Sequence, residues 1–353
     1  MSEKLPKGVA TVAQLADFDA LIDARSPAEF ADDHLPGAIS CPVLSDDERA
    51  RVGTLYKQVS PFEARKLGAV LVARNIARHI EANFLRQPKS WRPLVYCWRG
   101  GQRSGAFQHI LREIGWDAHR LEGGYKTWRR QVVTALVELP GRFRFTVISG
   151  ATGSAKSRVL EALAAEGAQI LHLEELAAHK GSVLGNLPDE PQPSQRSFET
   201  RLHQAFSRLD TQRPVFVEAE SRRIGSVQLP NELVAAIRAA PCVRIEASRR
   251  ARVAFLMRDY AYFLADPRRL ADQLGLLRNL QSGETIARWQ ELIDCRDFAK
   301  LVDELLELHY DPLYQRSQTR NYADYSGAPA YETDDLSPAG VTVLARRILA
   351  AAN

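Results

Sequence analysis

Leu94-Val95-Tyr96-Cys97-Trp98-Arg99-Gly100-Gly101-Gln102-Arg103-Ser104 is the stretch on which the reading of this chain turns. An apolar run ends in a cysteine. A Gly-Gly turn and an Arg-Ser pair follow, and Ala106 to Glu113 continues as a helical pattern. That order predicts strand, tight loop and helix, with the thiol at the strand end. Backbone N–H groups of such a loop point inward and bind an anion, and the helix N-terminus adds positive potential. The same field favours a nucleophilic cysteine. Cys97 therefore reads as a nucleophile in an anion cradle, with Arg103 as its cation. Arg99 serves either as a second cation or as a solvated rim charge. Trp98, Gly100, Gly101, Gln102 and Ser104 line the loop. A buried structural cysteine would need neither the glycines nor Arg103.

A second strand-to-loop junction lies downstream. Phe143-Arg144-Phe145-Thr146-Val147-Ile148-Ser149 runs into Gly150-Ala151-Thr152-Gly153-Ser154-Ala155-Lys156-Ser157, and a helical pattern follows from Arg158 to Glu166. This is the context of a phosphate-binding loop. Gly150, Thr152, Gly153, Ser154, Ala155, Lys156 and Ser157 are the expected diphosphate contacts. Lys156 reaches phosphate oxygens, and the Ser157 hydroxyl suits a magnesium ion. Ala155 stands where the usual pattern has glycine; it fits a helical backbone, whereas a positive φ there would strain it. Pro214 to Glu220 is an apolar strand ending in carboxylates, so Glu218 and Glu220 are candidates for organising magnesium or acting as a base. ATP or GTP is one occupant of such a loop. A simpler diphosphate gripped without ATPase chemistry is the other, and the departures from the usual pattern favour it.

The chain has 353 residues, with 45% hydrophobic and 25% charged, which is ordinary for a soluble protein with two or three domains. A net charge of +4, mostly arginine, permits a nucleic-acid partner without proving one. Cys41, Cys97, Cys242 and Cys295 include no C-x-x-C pair and no metal-ligand spacing, so no tightly bound metal or cofactor is expected. Free cysteines suit a reducing cytosol. Met1-Ser2-Glu3-Lys4-Leu5-Pro6 carries no apolar signal region and no run reaches membrane-spanning length, which gives a cytoplasmic, non-membrane expectation.

The first block is α/β. Ala20-Leu21-Ile22-Asp23-Ala24 reads as a buried strand, Ser26-Pro27-Ala28-Glu29-Phe30 as a capped helix start, and His34-Leu35-Pro36-Gly37-Ala38-Ile39 as a turn feeding a strand. Strands alternating with helices predict a doubly wound domain. Asp23-Ala24-Arg25-Ser26, the His34 to Ile39 turn, Cys97 to Ser104 and Leu121-Glu122-Gly123-Gly124 together resemble a rhodanese domain. A rhodanese domain followed by a P-loop domain, with Gln192-Pro193-Ser194-Gln195, resembles the bacterial tRNA 2-selenouridine synthase family. The expected organisation is a rhodanese-like domain over 1–137, a P-loop NTPase-like α/β domain over 138–248, and a helical C-terminal extension over 249–353 packed on the second domain.

That resemblance implies replacement of sulfur by selenium at C2 of wobble 2-thiouridine in tRNA. It implies selenophosphate as donor, an S-geranyl intermediate made from geranyl diphosphate, and the selenophosphate-producing enzyme as a partner. Cys97 and Arg103 are separated by five residues, one more than in ordinary rhodaneses, and the wider cradle suits a tetrahedral oxyanion such as selenophosphate. C-x5-R is also the spacing of cysteine-dependent phosphatases, which need a general acid; Asp23, Asp32 and Asp33 are available. A small-molecule sulfurtransferase using a Cys97 persulfide is a further reading, and a non-catalytic RNA-binding protein that senses nucleotide is another. Arg222, Arg223, Arg249, Arg250 and Arg252 are candidate tRNA contacts, with Tyr260, Tyr262, Tyr310 and Tyr314 as stacking aromatics. His172, Glu174 and His179 precede the long loop Gly181 to Ser194, and His179 either reaches a substrate phosphate or is ordinary polar surface. His34 reads as a turn holder.

Overall fold

The computed structural model describes residues 6–182, 184–314, 316, 325 and 327–352; the segment Met1 to Leu5, expected to carry no signal, lies outside them. The chain divides into two compact units, Met1–Ala135 and Leu136–Asn353.

Unit 1 contains β1 (Val9–Ala10), β2 (Ala20–Asp23), α1 (Pro27–Asp32), β3 (Ile39–Ser40), α2 (Asp46–Gln58), α3 (Pro61–His79), β4 (Pro93–Tyr96), α4 (Gln102–Ile114), β5 (His119–Leu121) and the start of α5 (Gly124–Glu138). Its five strands are all parallel, in the order β1-β5-β4-β2-β3. Every residue of β4 is buried, as expected of a central parallel strand. Ile22, Val95, Phe107, Leu111, Trp91 and Trp116 share one core. α1 starts as the sequence indicates: Pro27 occupies its first turn, and the Ser26 N–H donates to Glu29 Oε2 at 3.0 Å.

A buried ionic group lies behind the β4 end. The Arg25 guanidinium is 1% exposed and donates to both oxygens of Asp23 at 2.6–3.0 Å, and to the Asp33 carbonyl at 2.6 Å. It stacks on the Tyr125 ring at 4.0 Å, and the Tyr125 hydroxyl donates to Asp33 Oδ2 at 2.8 Å. His34 holds its turn, as read from sequence, with Nδ1 2.9 Å from the Phe30 carbonyl.

Unit 2 contains β6 (Phe145–Gly150), α6 (Lys156–Ala165), β7 (Gln169–Leu171), α7 (Leu173–Leu176), α8 (Gln195–Ser207), β8 (Val215–Glu218), β9 (Arg223–Ile224), β10 (Val227–Gln228), α9 (Asn231–Ala239), β11 (Cys242–Ala247), α10 (Arg249–Asp259), α11 (Ala261–Ala265), α12 (Pro267–Gly275), α13 (Gly283–Asp294), α14 (Phe298–Leu305), β12 (Ala330–Thr333) and α15 (Pro338–Ala352). The main sheet is again all parallel, in the order β12-β11-β6-β8-β7. β6 is its centre, flanked by β8 and β11. Helices α10 to α14 build a separate apolar cluster around the fully buried Trp289.

The division between units falls after Ala135, inside α5 and close to the expected boundary at 137. The C-terminal region differs from the sequence reading. Residues 249–353 are not a wholly helical extension: β12 adds the edge strand beside β11, and Val341, Leu344 and Ile348 of α15 join the core formed with α6. These residues complete the P-loop sheet because β11 otherwise leaves an open edge.

Replacing Arg25 by Met strands the Asp23 carboxylate, which is 0% exposed, in the core. The expected loss is about 3–5 kcal/mol of unit 1 stability. Urea unfolding of the full chain, followed at its tryptophans, measures it.

Candidate active sites

The cysteine loop is set by the helix that follows it in space. The Tyr125 N–H donates to the Cys97 carbonyl at 2.8 Å and the Lys126 N–H to the Trp98 carbonyl at 2.9 Å. Both carbonyls are thereby committed to the first turn of α5, which leaves the loop's N–H groups to the other side. Gly124 makes this approach at φ +60°, and a Cβ there would sit 2.3 Å from the Cys97 carbonyl oxygen. Gly101, at φ +75°, starts α4. Cys97 is 3% exposed and accepts a hydrogen bond from Ser104 Oγ at 3.3 Å. Trp98 lies against Tyr125 with ring centroids 5.3 Å apart, while Arg99, Gly100 and Gln102 are exposed.

Arg103 is placed beside this loop but is not a free cation. It donates to Glu29 at 2.7 and 3.3 Å, and Arg49 of α2 reaches the same carboxylate at 3.5 Å. Burial opposes ionisation of Glu29, but Arg103 and the Ser26 N–H overcome it and bring its carboxyl down to about 2. Glu29 as the partner of Arg103 was missed in the sequence, where its capping position was its visible role. Arg120 was also missed: its guanidinium lies against Gly101. The general acid that a phosphatase needs is not supplied by Asp23 or Asp33, which are committed to Arg25 and Tyr125.

In unit 2 the loop after β6 opens on a cleft of about 600 Å³. Thr152, Gly153, Ala155, Lys156 and Ser157 line it; Gly150 and Ser154 lie behind. Ala155 adopts φ +62°, ψ +28°, so the strain that sequence reasoning tied to a positive φ is present. Its methyl group is buried in the core with Val159 and Leu160. Lys156 Nζ donates to the Gly150 carbonyl at 2.9 Å, and Ser154 Oγ is buried with no protein partner among the described residues.

The carboxylates sort differently from expectation. Glu218 is 0% exposed and does not line the cleft; one of its oxygens accepts from the Glu174 N–H at 2.8 Å and faces His172 Nδ1 at 3.2 Å. It anchors the start of α7, while its other oxygen is buried with no protein partner among the described residues. Glu220 and Glu174 line the cleft, with Glu161, Glu175 and Asp259 also in its wall, and Ser157 Oγ donates to Glu174. Burial pushes both carboxyls above the ordinary range, added to by repulsion from Glu218 at Glu174 and from Glu174 at Glu220. Among the described residues, no group of three His, Cys, Asp or Glu side chains is placed to hold a metal ion. His179 Nδ1 accepts from the Gly181 N–H at 3.1 Å, so this histidine shapes its own loop. That loop's Val183 lies outside the described residues.

An apolar slot of about 60 Å³ adjoins the cleft. Phe263, Leu270, Phe298, Leu301 and Leu305 line it, and Thr152, Leu256, Tyr260 and Tyr310 belong to both spaces. The tyrosines expected to stack on RNA are therefore elsewhere employed. Tyr260 and Tyr310 wall the cleft, Tyr262 packs on Phe263 at 4.7 Å, and Tyr314 bonds to Ser149 Oγ at 2.9 Å. Arg252 is also corrected as a tRNA contact: it is 6% exposed, donates to the Thr152 carbonyl at 2.8 Å and holds Asp311 through two nitrogens. Arg249 is exposed but paired with Asp303 and Glu307; Arg222, Arg223 and Arg250 are exposed.

Opposite pH responses follow for the two units. The lowered Glu29 contributes stability above pH 4.5 that is lost as pH falls through about 2. Glu29→Gln is expected to flatten that acid limb, read by thermal melts between pH 2 and pH 5. The raised Glu174 and Glu220 act the other way, since stability present below the ordinary carboxylate range is lost as pH rises through their raised values. Glu220→Gln removes a carboxyl whose ionisation is opposed by burial and by Glu174, and is expected to flatten the loss of unit 2 stability as pH rises above the ordinary carboxylate range, measured by calorimetry across a pH series.

Comparison with known proteins agrees with both units. Residues 9–131 match the rhodanese-like domain, and residues 143–281 match the tRNA 2-selenouridine synthase AAA domain. A tRNA 2-selenouridine synthase of Bdellovibrio bacteriovorus is 31% identical over 86% of this chain and 89% of its own length. That of Marinobacter nauticus is 33% identical with the same coverage. The Nitrosomonas europaea protein of that name is 36% identical, over 68% of this chain and 63% of its own length. With both domain types in one chain and relatives matched along most of it, the chain belongs to the tRNA 2-selenouridine synthase family of tRNA-modifying enzymes.

Proposed function

We propose that the protein exchanges the sulfur at C2 of wobble 2-thiouridine in tRNA for selenium, taking selenium from selenophosphate and passing through an S-geranyl intermediate made from geranyl diphosphate. The observation that carries the prenyl step is the junction between the P-loop cleft and the apolar slot. A diphosphate with a hydrocarbon tail has one charged end and one apolar end in that order. The slot's walls are mostly aliphatic and aromatic side chains, with Thr152 and Ser182 on the side shared with the cleft.

In unit 2, the backbone around Gly153 and the Lys156 ammonium would hold the diphosphate, and Lys156 would leave the Gly150 carbonyl to do so. Ser157, Glu174 and Glu220 are the groups that a magnesium ion on the diphosphate would meet, the remaining ligands being phosphate oxygens and water. The C2 sulfur attacks C1 of the geranyl group, the C1–O bond breaks, pyrophosphate leaves, and the N3 proton is lost. Alkylation turns a poor thiocarbonyl leaving group into one that departs as geranyl thiol.

In unit 1, Cys97 Sγ attacks the phosphorus of selenophosphate and the P–Se bond breaks. Hydrogen selenide is released, adds to C2 and expels geranyl thiol; water then hydrolyses the phosphocysteine to phosphate. No oxidant or reductant is required. The loop N–H groups and Arg103 stabilise the phosphoryl oxygens. This is the chemistry that a C-x5-R cradle performs on a phosphate ester, with hydrogen selenide as leaving group in place of an alkoxide. It needs no strong general acid, which fits the commitment of Asp23 and Asp33 elsewhere.

Mass spectrometry of nucleosides tests the order of steps. A 2-thiouridine tRNA with geranyl diphosphate alone is expected to give the geranylated nucleoside, and added selenophosphate converts it to the selenouridine. Cys97→Ser is expected to stop at the geranylated nucleoside. Lys156→Ala is expected to slow geranylation by about 10²–10³-fold. Wild-type selenation by Cys97→Ser would overturn the nucleophile. No mass change with the folded wild-type protein would return the sulfurtransferase reading.

A further inference from the structure

The helical hairpin α2–α3 meets the cysteine site only at its base, through Arg49 and Asp46. It enters unit 1 between β3 and β4, and α2 has no buried residue at all. From Asp46 to Lys89 the sequence has nine Lys and Arg against five acids, three of them (Asp46, Asp47 and Glu48) in the first turn of α2. That segment is +4, the same as the whole chain, so the remainder is neutral by count and the net positive charge lies here. All nine basic residues are exposed.

One stripe is unusually regular. Phe62, Lys66, Val70, Arg74 and Arg78 follow one another at four-residue spacing on α3, and all five are exposed. Neighbours at that spacing adjoin, each step advancing about 6 Å along the axis and about 40° around it, so the row runs for about 24 Å and winds from Phe62 to Arg78 on the far side of the helix. Phe62 is 63% exposed and Val70 56%, and the Lys66 ammonium lies 5.2 Å from the Phe62 ring centre. Tyr56 and Val59, 56% and 69% exposed, add to the tip. Arg74 and Arg78 make no salt bridge among the described residues; the half-exposed Glu48 is an acid whose carboxyl feels them.

The hairpin's base is fixed at the cysteine site. Asp46 accepts from the Ala28 N–H at 3.1 Å, and Arg49 shares Glu29 with Arg103. At the other end, Asn75 Nδ2 donates to the Val43 carbonyl at 3.1 Å and His79 Nε2 lies 3.0 Å from the Pro42 carbonyl. A ligand lying along the stripe is thus held in a fixed relation to the Cys97 loop.

We infer that the α2–α3 hairpin is an RNA-docking arm, whose Lys66–Arg74–Arg78 stripe grips tRNA phosphates while Phe62 offers a face for an unstacked base; this rests on tRNA being the substrate. Charge selects the occupant. A second copy of the chain would set two positive faces against each other, whereas a polyanion releases counterions from this one. Exposed aromatics among cations are the means of holding splayed single-stranded bases.

The test is equilibrium binding of a 2-thiouridine tRNA to the full chain across a salt series. The variants are the triple change Lys66→Ala, Arg74→Ala, Arg78→Ala and, separately, Phe62→Ala. The triple variant is expected to weaken binding at least tenfold and to reduce the slope of log K against log salt by about 2–3. Phe62→Ala is expected to weaken binding about fivefold or more with the slope unchanged. Conversion of all three cations to the opposite Lys or Arg type should retain the slope, and unchanged thermal melts check the fold. If the parent chain binds tRNA and the triple variant binds identically, the docking arm is overturned while the substrate stands. The arm is likewise overturned if the triple variant changes only the chain's self-association. Failure of the parent chain to bind tRNA at all would overturn the substrate reading itself.

Discussion

The hydrogen bond from the Tyr125 N–H to the Cys97 carbonyl is the constraint on which unit 1's chemistry rests. A peptide group has two ends, and fixing the carbonyl end fixes where the N–H end can turn. By taking the carbonyls of Cys97 and Trp98, α5 makes the loop a ring of donors. Gly124 is required because a side chain there would collide with that same carbonyl. Tyr125, next along, carries its hydroxyl to Asp33 and its ring to Arg25, so the loop is tied through one residue to the buried ionic group. Loop shape and core electrostatics are therefore a single problem in this unit.

Unit 2 solves a related problem with side chains from far along the chain. Its phosphate loop is braced from α10, where Arg252 holds the Thr152 carbonyl and Leu256 packs on Gly153. Asp311 balances the Arg252 charge. The brace explains how an alanine is accommodated at φ +62°, since the loop is held from both sides and the buried methyl contributes to the core. It also makes the helical cluster part of the phosphate site, because the residues that brace the loop border the apolar slot.

The two strand–loop–helix junctions were legible because their geometry needs rare residue combinations: glycines beside Cys97, and Gly153 with Lys156 and Ser157. The parallel sheets followed from short apolar runs bounded by turns. What escaped reading depended on distance in sequence. Nothing local marks Arg120 as a neighbour of Gly101, or Arg252 as a brace for Thr152. Glu218 and Glu220 sit two apart, yet one is sealed under α7 and the other faces the cleft. Arginine in a run, as at Arg249-Arg250-Ala251-Arg252, looks uniformly solvated in sequence, but on a helix the third arginine turned inward. The α2–α3 hairpin gave little to read because α2 lacks a buried stripe, and an amphipathic pattern is what a helix ordinarily shows.

The order in which the second sheet is assembled has a consequence for synthesis. β6, β8 and β11 emerge from the ribosome well before β12 and α15, which pair with β11 and cover α6. Unit 1 has all its strands before residue 122 and is free to fold as soon as α5 clears the tunnel. Unit 2 must wait, with the β11 edge bare and the apolar side of α6 uncovered, until residues 330–352 arrive. During that interval the edge is open to wrong pairing, and a nascent chain that stalls there leaves a finished cysteine domain joined to an unfinished P-loop domain.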